Sequence, residues 1–249
     1  MKTTVGVNVL HDVDNSIYLS HNQLWFEMGK FHGSKGDQFI MYNPNRTSID
    51  NMRNFAAKVA LETESDYLMF IDDDMVLYPN TYKSLREADK DIVMALTTIR
   101  GYPFPPMHFI DKGGDLDRIT DLKPDLEYAS RIDENGLVKC DAIGCACVLI
   151  KTELFKKIDP PYFVTGPNFT EDVYFCLKLT NALGKKNVSI YVDTKVPTGH
   201  LGEKEVFTPL NAELKKKHYE EQFPEVCKDK KEDSYRGDNY LAKLEESFK

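Results

Sequence analysis

The chain has 249 residues, of which 41% are hydrophobic, 11% aromatic and 29% charged. That is enough apolar side chain for a sizeable α/β core, and it excludes a disordered polypeptide. Forty acidic residues against thirty-two basic ones give a formal net charge of −8, which excludes a dominant phosphate-gripping surface.

The first hundred residues alternate between strand-like and helix-like patterns. Thr3 to Leu10 reads as a strand, and Ser20 to Phe31 follows with Leu24, Met28 and Phe31 at helical spacing. Gln38 to Tyr42 is a second strand. A helix is predicted from Ser48, as N-cap, to Thr63, with Ile49, Met52, Ala56, Val59 and Ala60 on one face. Tyr67 to Ile71 is an unbroken apolar run, as in a strand buried on both faces. Pro79 to Ala88 reads as a helix with proline in its first turn, and Ile92 to Thr98 as another buried strand. This order predicts a parallel, doubly wound sheet.

The second half is less regular. Arg100 to Lys123 is rich in proline and glycine and reads as a long loop. Glu134-Asn135-Gly136 signals a turn between strand-like runs at Tyr128 to Ile132 and Leu137 to Cys140. Cys145 to Ile150 is a strand, with Thr152 capping a short helix. Thr170 caps a helix that reaches Leu183 and stops at Gly184, and Ser189 to Val192 is a last strand. After Pro209 come a charged helix to Gln222, a polar linker and a final helix from Asn239 to Phe248. The expected division is a domain over residues 1–206 and a C-terminal helical appendage over 207–249.

Two further features bound the setting. The longest strongly apolar stretch, Ala142 to Ile150, is too short to cross a bilayer, and the N-terminus lacks the pattern of a secretory signal. Cys140, Cys145, Cys147, Cys176 and Cys227 form no CxxC pair. They read as reduced, mostly buried thiols of a cytoplasmic protein, without the spacing of a zinc site.

The chemistry concentrates at Asp72-Asp73-Asp74, directly after the buried strand. Ligands of open α/β sheets bind at the carboxyl ends of the strands. Adjacent carboxylates repel one another by about 1 kcal/mol or more per close pair, and a hard divalent cation relieves that repulsion. In extended backbone Asp72 and Asp74 would face the same side and share one ion. Mg²⁺ or Mn²⁺ held by one or two carboxylates keeps sites open for a diphosphate. The plain alternative is a solvated acidic turn before the next helix.

Phe70-Ile71-Asp72-Asp73-Asp74-Met75, followed by Tyr78-Pro79, resembles the DxD segment of GT-A-fold glycosyltransferases, in particular the family 2-like group. Further elements match in order: Arg53-Asn54 before the DxD strand, Asp141 to Cys147 leading into a strand, Thr170-Glu171-Asp172-Val173 opening a helix, and Gly199-His200. The likeness covers about residues 3 to 205. It implies a GT-A, Rossmann-like α/β fold with a mixed, mostly parallel sheet and helices on both faces. It implies Mn²⁺ or Mg²⁺ held by Asp72, Asp74 and His200, with Asp72 on the metal or the ribose. It also implies a nucleoside-diphosphate sugar, UDP-sugar favoured, contacted by His11, Arg53, Asp72, Asp73 and Arg100, and a hydroxyl acceptor of unspecified class. Asp172 is then the general base for the acceptor hydroxyl, with Glu171 as the competing candidate.

Plainer readings stand beside these. Glu171 and Asp172 suit a helix N-terminus on dipole grounds alone, a lone loop histidine is usually a surface residue, and a helix arginine is usually solvated. Arg46 competes with Arg53, Asp12 stands beside His11, and Tyr102 beside Arg100. Gly144 permits a tight turn on the acceptor side, Cys145 and Cys147 fill core, and Trp25 is a core residue. Two rival functions remain: a sugar-phosphate nucleotidyltransferase, and a non-catalytic sugar-nucleotide or carbohydrate-binding module. The first usually carries a glycine-rich basic loop after strand one, where this chain has His11-Asp12-Val13-Asp14-Asn15.

Overall fold

The computed structural model describes residues 1–8, 13–43, 47–111, 122–167, 169–202, 206–209, 211–222 and 224. In chain order the elements are β1 (Lys2–Asn8), α1 (Asn15–Glu27), β2 (Gln38–Tyr42), α2 (Ile49–Glu62), β3 (Tyr67–Asp72), β4 (Met75–Val76), α3 (Thr81–Glu87) and β5 (Ile92–Ala95). They continue with β6 (His108–Asp111), β7 (Leu122–Pro124), β8 (Leu137–Lys139), β9 (Ala142–Ile143), β10 (Cys147–Lys151) and α4 (Glu171–Leu183). The last are β11 (Ile190–Asp193), β12 (Gly199–Leu201), β13 (Val206–Phe207) and α5 (Ala212–Gln222).

The main sheet runs β2-β1-β3-β10-β5-β11-β8. β2, β1, β3, β5 and β11 point one way, while β10 and β8 are reversed. The expected mixed, mostly parallel α/β sheet is therefore present, with helices on both faces. Side-chain alternation along β3 shows how. Leu68 and Phe70 join Ala56, Ala57 and Ala60 of α2 and Phe175 and Leu179 of α4 in one cluster. Met69 and Ile71 join Leu24 of α1 and Tyr82 and Leu85 of α3 in the other. The small residues of α2 let it lie close on β1, where a Cβ added at Gly6 would come within 3.2 Å of the Ala56 Cβ.

Two small sheets, β13-β12-β4 and β7-β6-β9, flank the main one. The first decides the site's geometry. β4 pairs antiparallel with β12, placing His200 opposite Met75 and Gly199 opposite Val76. The Leu201 amide also donates to the Asp74 carbonyl at 2.8 Å.

Several local expectations shift. Tyr128–Arg131 is a 3₁₀ turn rather than a strand, although the turn that follows forms as expected, with Gly136 at φ 74°. Thr152–Lys156 is likewise 3₁₀. The predicted loop from Arg100 to Lys123 contains β6 and the start of β7. Pro79 precedes α3 instead of lying in its first turn. The four described cysteines are buried and free, and burial pushes the Cys145 and Cys147 thiols up, consistent with core filling. Cys227 and the helix predicted over Asn239 to Phe248 lie outside the described residues. Among the described residues no helix is long and apolar enough to cross a membrane.

Candidate active site

The acidic triplet lies at the carboxyl end of β3, where Asp72 stands between the Asn8 end of β1 and the Ala146 carbonyl, to which its amide donates at 2.9 Å. The strand stops at Asp72, and Asp73 and Asp74 form a turn into β4. This corrects the expectation that Asp72 and Asp74 share a face through extended backbone. The turn sends the two carboxylates to different partners.

Asp72 faces inward. Its oxygens accept from Arg53 Nη2, each at 3.2 Å, and Oδ1 also accepts from Asn8 Nδ2 at 3.4 Å. Arg53 is 2% exposed and is not a solvated helix residue. Its Nε donates to Glu171 at 2.8 Å, its Nη1 to the Cys145 carbonyl at 3.3 Å, and its guanidinium lies 5.2 Å from the Phe70 ring centroid. One cation thus ties the end of β3 to the start of α4. Burial pushes the Asp72 carboxyl up, and the Arg53 charge opposes that shift.

Asp74 faces the rim. Its Oδ2 lies 2.7 Å from Arg100 Nη1 and 3.2 Å from His200 Nε2. Burial raises this carboxyl, but His200 and Arg100 outweigh burial and hold it below its ordinary value. His200 Nδ1 is 2.9 Å from the Thr98 carbonyl. A carbonyl and a carboxylate both only accept, so a ring hydrogen-bonded to the two carries a proton on each nitrogen, and a divalent cation would take the place of the proton on Nε2. A histidine with Nε2 beside a carboxylate and Nδ1 anchored on a carbonyl suits a divalent-cation ligand pair once the Nε2 proton is given up. The residues therefore fit Mn²⁺ or Mg²⁺. The three ligands expected from sequence do not converge: among the described residues no group of three His, Cys, Asp or Glu side chains is placed to hold a metal. Asp72 is drawn away by Arg53.

Asp172 and Glu171 open α4, as predicted, but with different surroundings. Glu171 is neutralised by Arg53. Asp172 is 8% exposed. It accepts from the Cys145 amide at 3.2 Å, from the Val173 amide at 2.7 Å and from the Thr170 hydroxyl. Burial first, and then the Glu171 charge, push its carboxyl up. Gly144 keeps this approach open: an added Cβ would meet the Met107 Cε at 2.6 Å and the Asp172 Oδ2 at 3.5 Å.

Of the remaining candidates, His11, Asp12 and Arg46 lie outside the described residues. Asp73 sits in the turn beside His21, whose Nε2 donates to the Met75 carbonyl at 3.0 Å. Trp25 packs edge-on against His21 with centroids 5.8 Å apart. Asn54 turns away from the site. Its amide bonds Asp50 and Phe163 carbonyls and the Tyr162 and Phe163 amides. Asn54→Ala, which strands those Phe163 and Tyr162 groups, should cost about 2–3 kcal/mol in a urea melt; a loss under half of the lower figure would contradict this role.

Sequence reasoning missed Asn8, His21 and the Cys145 peptide, which serves Arg53 through its carbonyl and Asp172 through its amide. Asn8 carried a signal, since it ends β1 in register with Asp72. The Cys145 peptide carried none, because a backbone group has no side-chain identity to read.

No protein-family model matches the chain, and no curated protein matches it. Solved structures do resemble it. The crystal structure of A197 from STIV matches with a TM-score of 0.54 at 17% identity, over 84% of this chain and 91% of that one. This likeness shows a shared fold. Looser likenesses include the catalytic domain of a Drosophila beta1,4-galactosyltransferase 7 in complex with xylobiose (TM-score 0.42, 13% identity, 77% of this chain and 64% of that one). Another is a protein described as a glucose-1-phosphate thymidylyltransferase from Bacillus anthracis, in complex with sucrose (TM-score 0.41, 10% identity, 87% and 95%). Likenesses at these scores carry no weight for function, which has to come from the site.

Proposed function

We propose that this chain is a metal-dependent glycosyltransferase that moves a sugar from a nucleoside-diphosphate sugar, UDP-sugar favoured, to a hydroxyl acceptor. The observation that carries the reading is the pairing of Asp74 with the Nε2 of His200 at the carboxyl edge of the sheet. Asp74 and His200 would hold Mn²⁺ or Mg²⁺. When bound, the ion supplies Lewis acidity that offsets charge on the departing diphosphate.

The chain's own residues take the other parts. Arg100, its side chain 55% exposed beside Asp74, would face the diphosphate. Arg53 is buried too deeply for that task and acts as a positioning residue, fixing Asp72 and Glu171. Asp72, held by Arg53, would face the ribose rather than the metal, and Asp73 lies on the turn that follows it. Asp172 is the better base of the acidic pair, because Arg53 already claims Glu171. Its carboxylate takes the acceptor's hydroxyl proton as the acceptor oxygen bonds to the anomeric carbon. The bond from that carbon to the phosphate oxygen breaks, and the nucleoside diphosphate leaves with the electron pair.

The test is a thermal-shift panel of UDP-, GDP- and CMP-sugars with and without Mn²⁺. One nucleotide sugar should raise Tm in a metal-dependent way, and Asp74→Ala and His200→Ala should each remove the metal-dependent part. Equal stabilisation without metal, or in either variant, would refute the assignment of this ligand pair. Turnover of a sugar phosphate with a nucleoside triphosphate would instead favour a nucleotidyltransferase.

A further inference from the structure

Helix α5, the last described element, lies against the loop that follows Arg100. Tyr219 of α5 stacks on Tyr102, with ring centroids 5.2 Å apart and planes at 24°. It meets Phe104 edge-on at 6.3 Å. The Tyr102 hydroxyl donates to Glu220 at 2.6 Å. Tyr102 and Phe104 belong to the short loop that begins with Arg100, which pairs with Asp74 at 2.7 Å. That loop is folded on itself by the Phe104 amide to the Gly101 carbonyl at 2.7 Å and the Ile99 amide to the Pro105 carbonyl at 2.8 Å.

An ion pair whose arginine is more than half exposed holds little by itself, because solvent screens it and the side chain loses freedom. Arg100 Nη1 also donates to the Leu201 carbonyl at 3.3 Å, and its aim depends further on where the loop's backbone lies. From α5 this loop receives the aromatic stack on Tyr102 and the Glu220 carboxylate that accepts from its hydroxyl.

We propose that α5 is a working part of the donor site: Tyr219, through Tyr102, is a positioning residue that holds the loop aiming Arg100 at the donor diphosphate. This rests on the glycosyltransferase reading for the identity of the ligand, but the mechanical half does not. A segment that sequence sets apart as an appendage thereby controls donor affinity, while the residues that perform the chemistry lie outside it, on the turn before β4, on β12 and on α4.

The experiment uses the full chain with Tyr219→Ala, Tyr219→Phe, Arg100→Ala and the Tyr219→Ala/Arg100→Ala double variant. Hydrogen exchange of the Ile99 and Phe104 amides is measured without ligand. Binding of UDP with Mn²⁺, and of GDP with Mn²⁺, is measured by calorimetry. Tyr219→Ala should speed exchange at both amides and weaken nucleotide binding about threefold to tenfold, the range an aromatic pair commands. Tyr219→Phe keeps the ring and should restore both.

In the Arg100→Ala background Tyr219→Ala should have no further effect on binding, because the two act in series. Unchanged exchange in Tyr219→Ala, or additive losses in the double variant, would overturn the proposal. If the wild type binds neither nucleotide, the glycosyltransferase reading and the donor-affinity half fall together, and the exchange data alone decide whether α5 holds the loop.

Discussion

Asp172→Asn lowers kcat by roughly 10²–10⁴, the usual worth of a positioned general base, and leaves nucleotide–Mn²⁺ affinity within about twofold of wild type, given that an amide keeps the size of a carboxyl. The amide of asparagine cannot take the acceptor's proton. It is nonetheless close to isosteric, and it retains an oxygen for the Cys145 amide that Asp172 accepts at 3.2 Å. The companion observation is the pH profile. Burial and the neighbouring Glu171 raise the Asp172 carboxyl, and a base works only when deprotonated. Wild-type kcat should therefore fall as pH drops through a value above the ordinary carboxylate range, and residual activity in Asp172→Asn should lack that acidic limb. Turnover by Asp172→Asn at the wild-type rate would remove Asp172 from the mechanism. Glu171→Gln separates the neighbouring acid: it should lower stability through Arg53 and keep an acidic limb, moved to lower pH because one cause of the raised Asp172 carboxyl is gone.

The largest stability effect is expected at Arg53. Arg53→Met removes the only side chain among the described residues that forms an ion pair with both Asp72 and Glu171. It leaves Glu171, 5% exposed, as an uncompensated buried charge. Breaking a buried pair in this way costs about 3–5 kcal/mol, which for a chain of this length is a fall in Tm of about 6–20 °C. Arg53→Lys should recover only part of that loss. A single ammonium lacks the planar fork that reaches Glu171, Asp72 and the Cys145 carbonyl at once. Adding Glu171→Gln to Arg53→Met should return at least about 1 kcal/mol, because the orphaned charge is then gone. A Tm within about 3 °C of wild type for Arg53→Met, on the same scale of roughly 2–4 °C per kcal/mol, would show that the network is not a support of the fold.

These two effects identify different classes of residue around one site. Asp172 is expected to matter for rate and little for stability; Arg53 the reverse. Asp74 and His200 form a third class, legible through metal dependence. The separation is physical: each class is defined by what the side chain is bonded to, and Arg53 and Asp172 meet only at the two ends of the Cys145 peptide.

Much of this was legible in the chain itself. The unbroken apolar run before Asp72 fixed a strand buried on both faces, because only such a strand needs apolar side chains at every position. The alternation of strand-like and helix-like segments along the first hundred residues, with the periodicity of Ile49 to Ala60, then pointed to a doubly wound α/β sheet. It also fixed the acidic triplet's place at a strand's carboxyl end, and the acid pair's place at the start of α4. What remained hidden depended on backbone direction and distant pairing. The turn at Asp73 and Asp74 sends the two flanking aspartates apart, and no local pattern announces it. Arg53 reads as a surface residue until the Cys145 peptide and Glu171 close over it. His200 reaches Asp74 across a sequence separation of 126 residues, through the antiparallel pairing of β4 with β12. A strand's periodicity tells which residues share a face but not which strand will lie beside it, so the tertiary fold alone brought that histidine to the carboxylate.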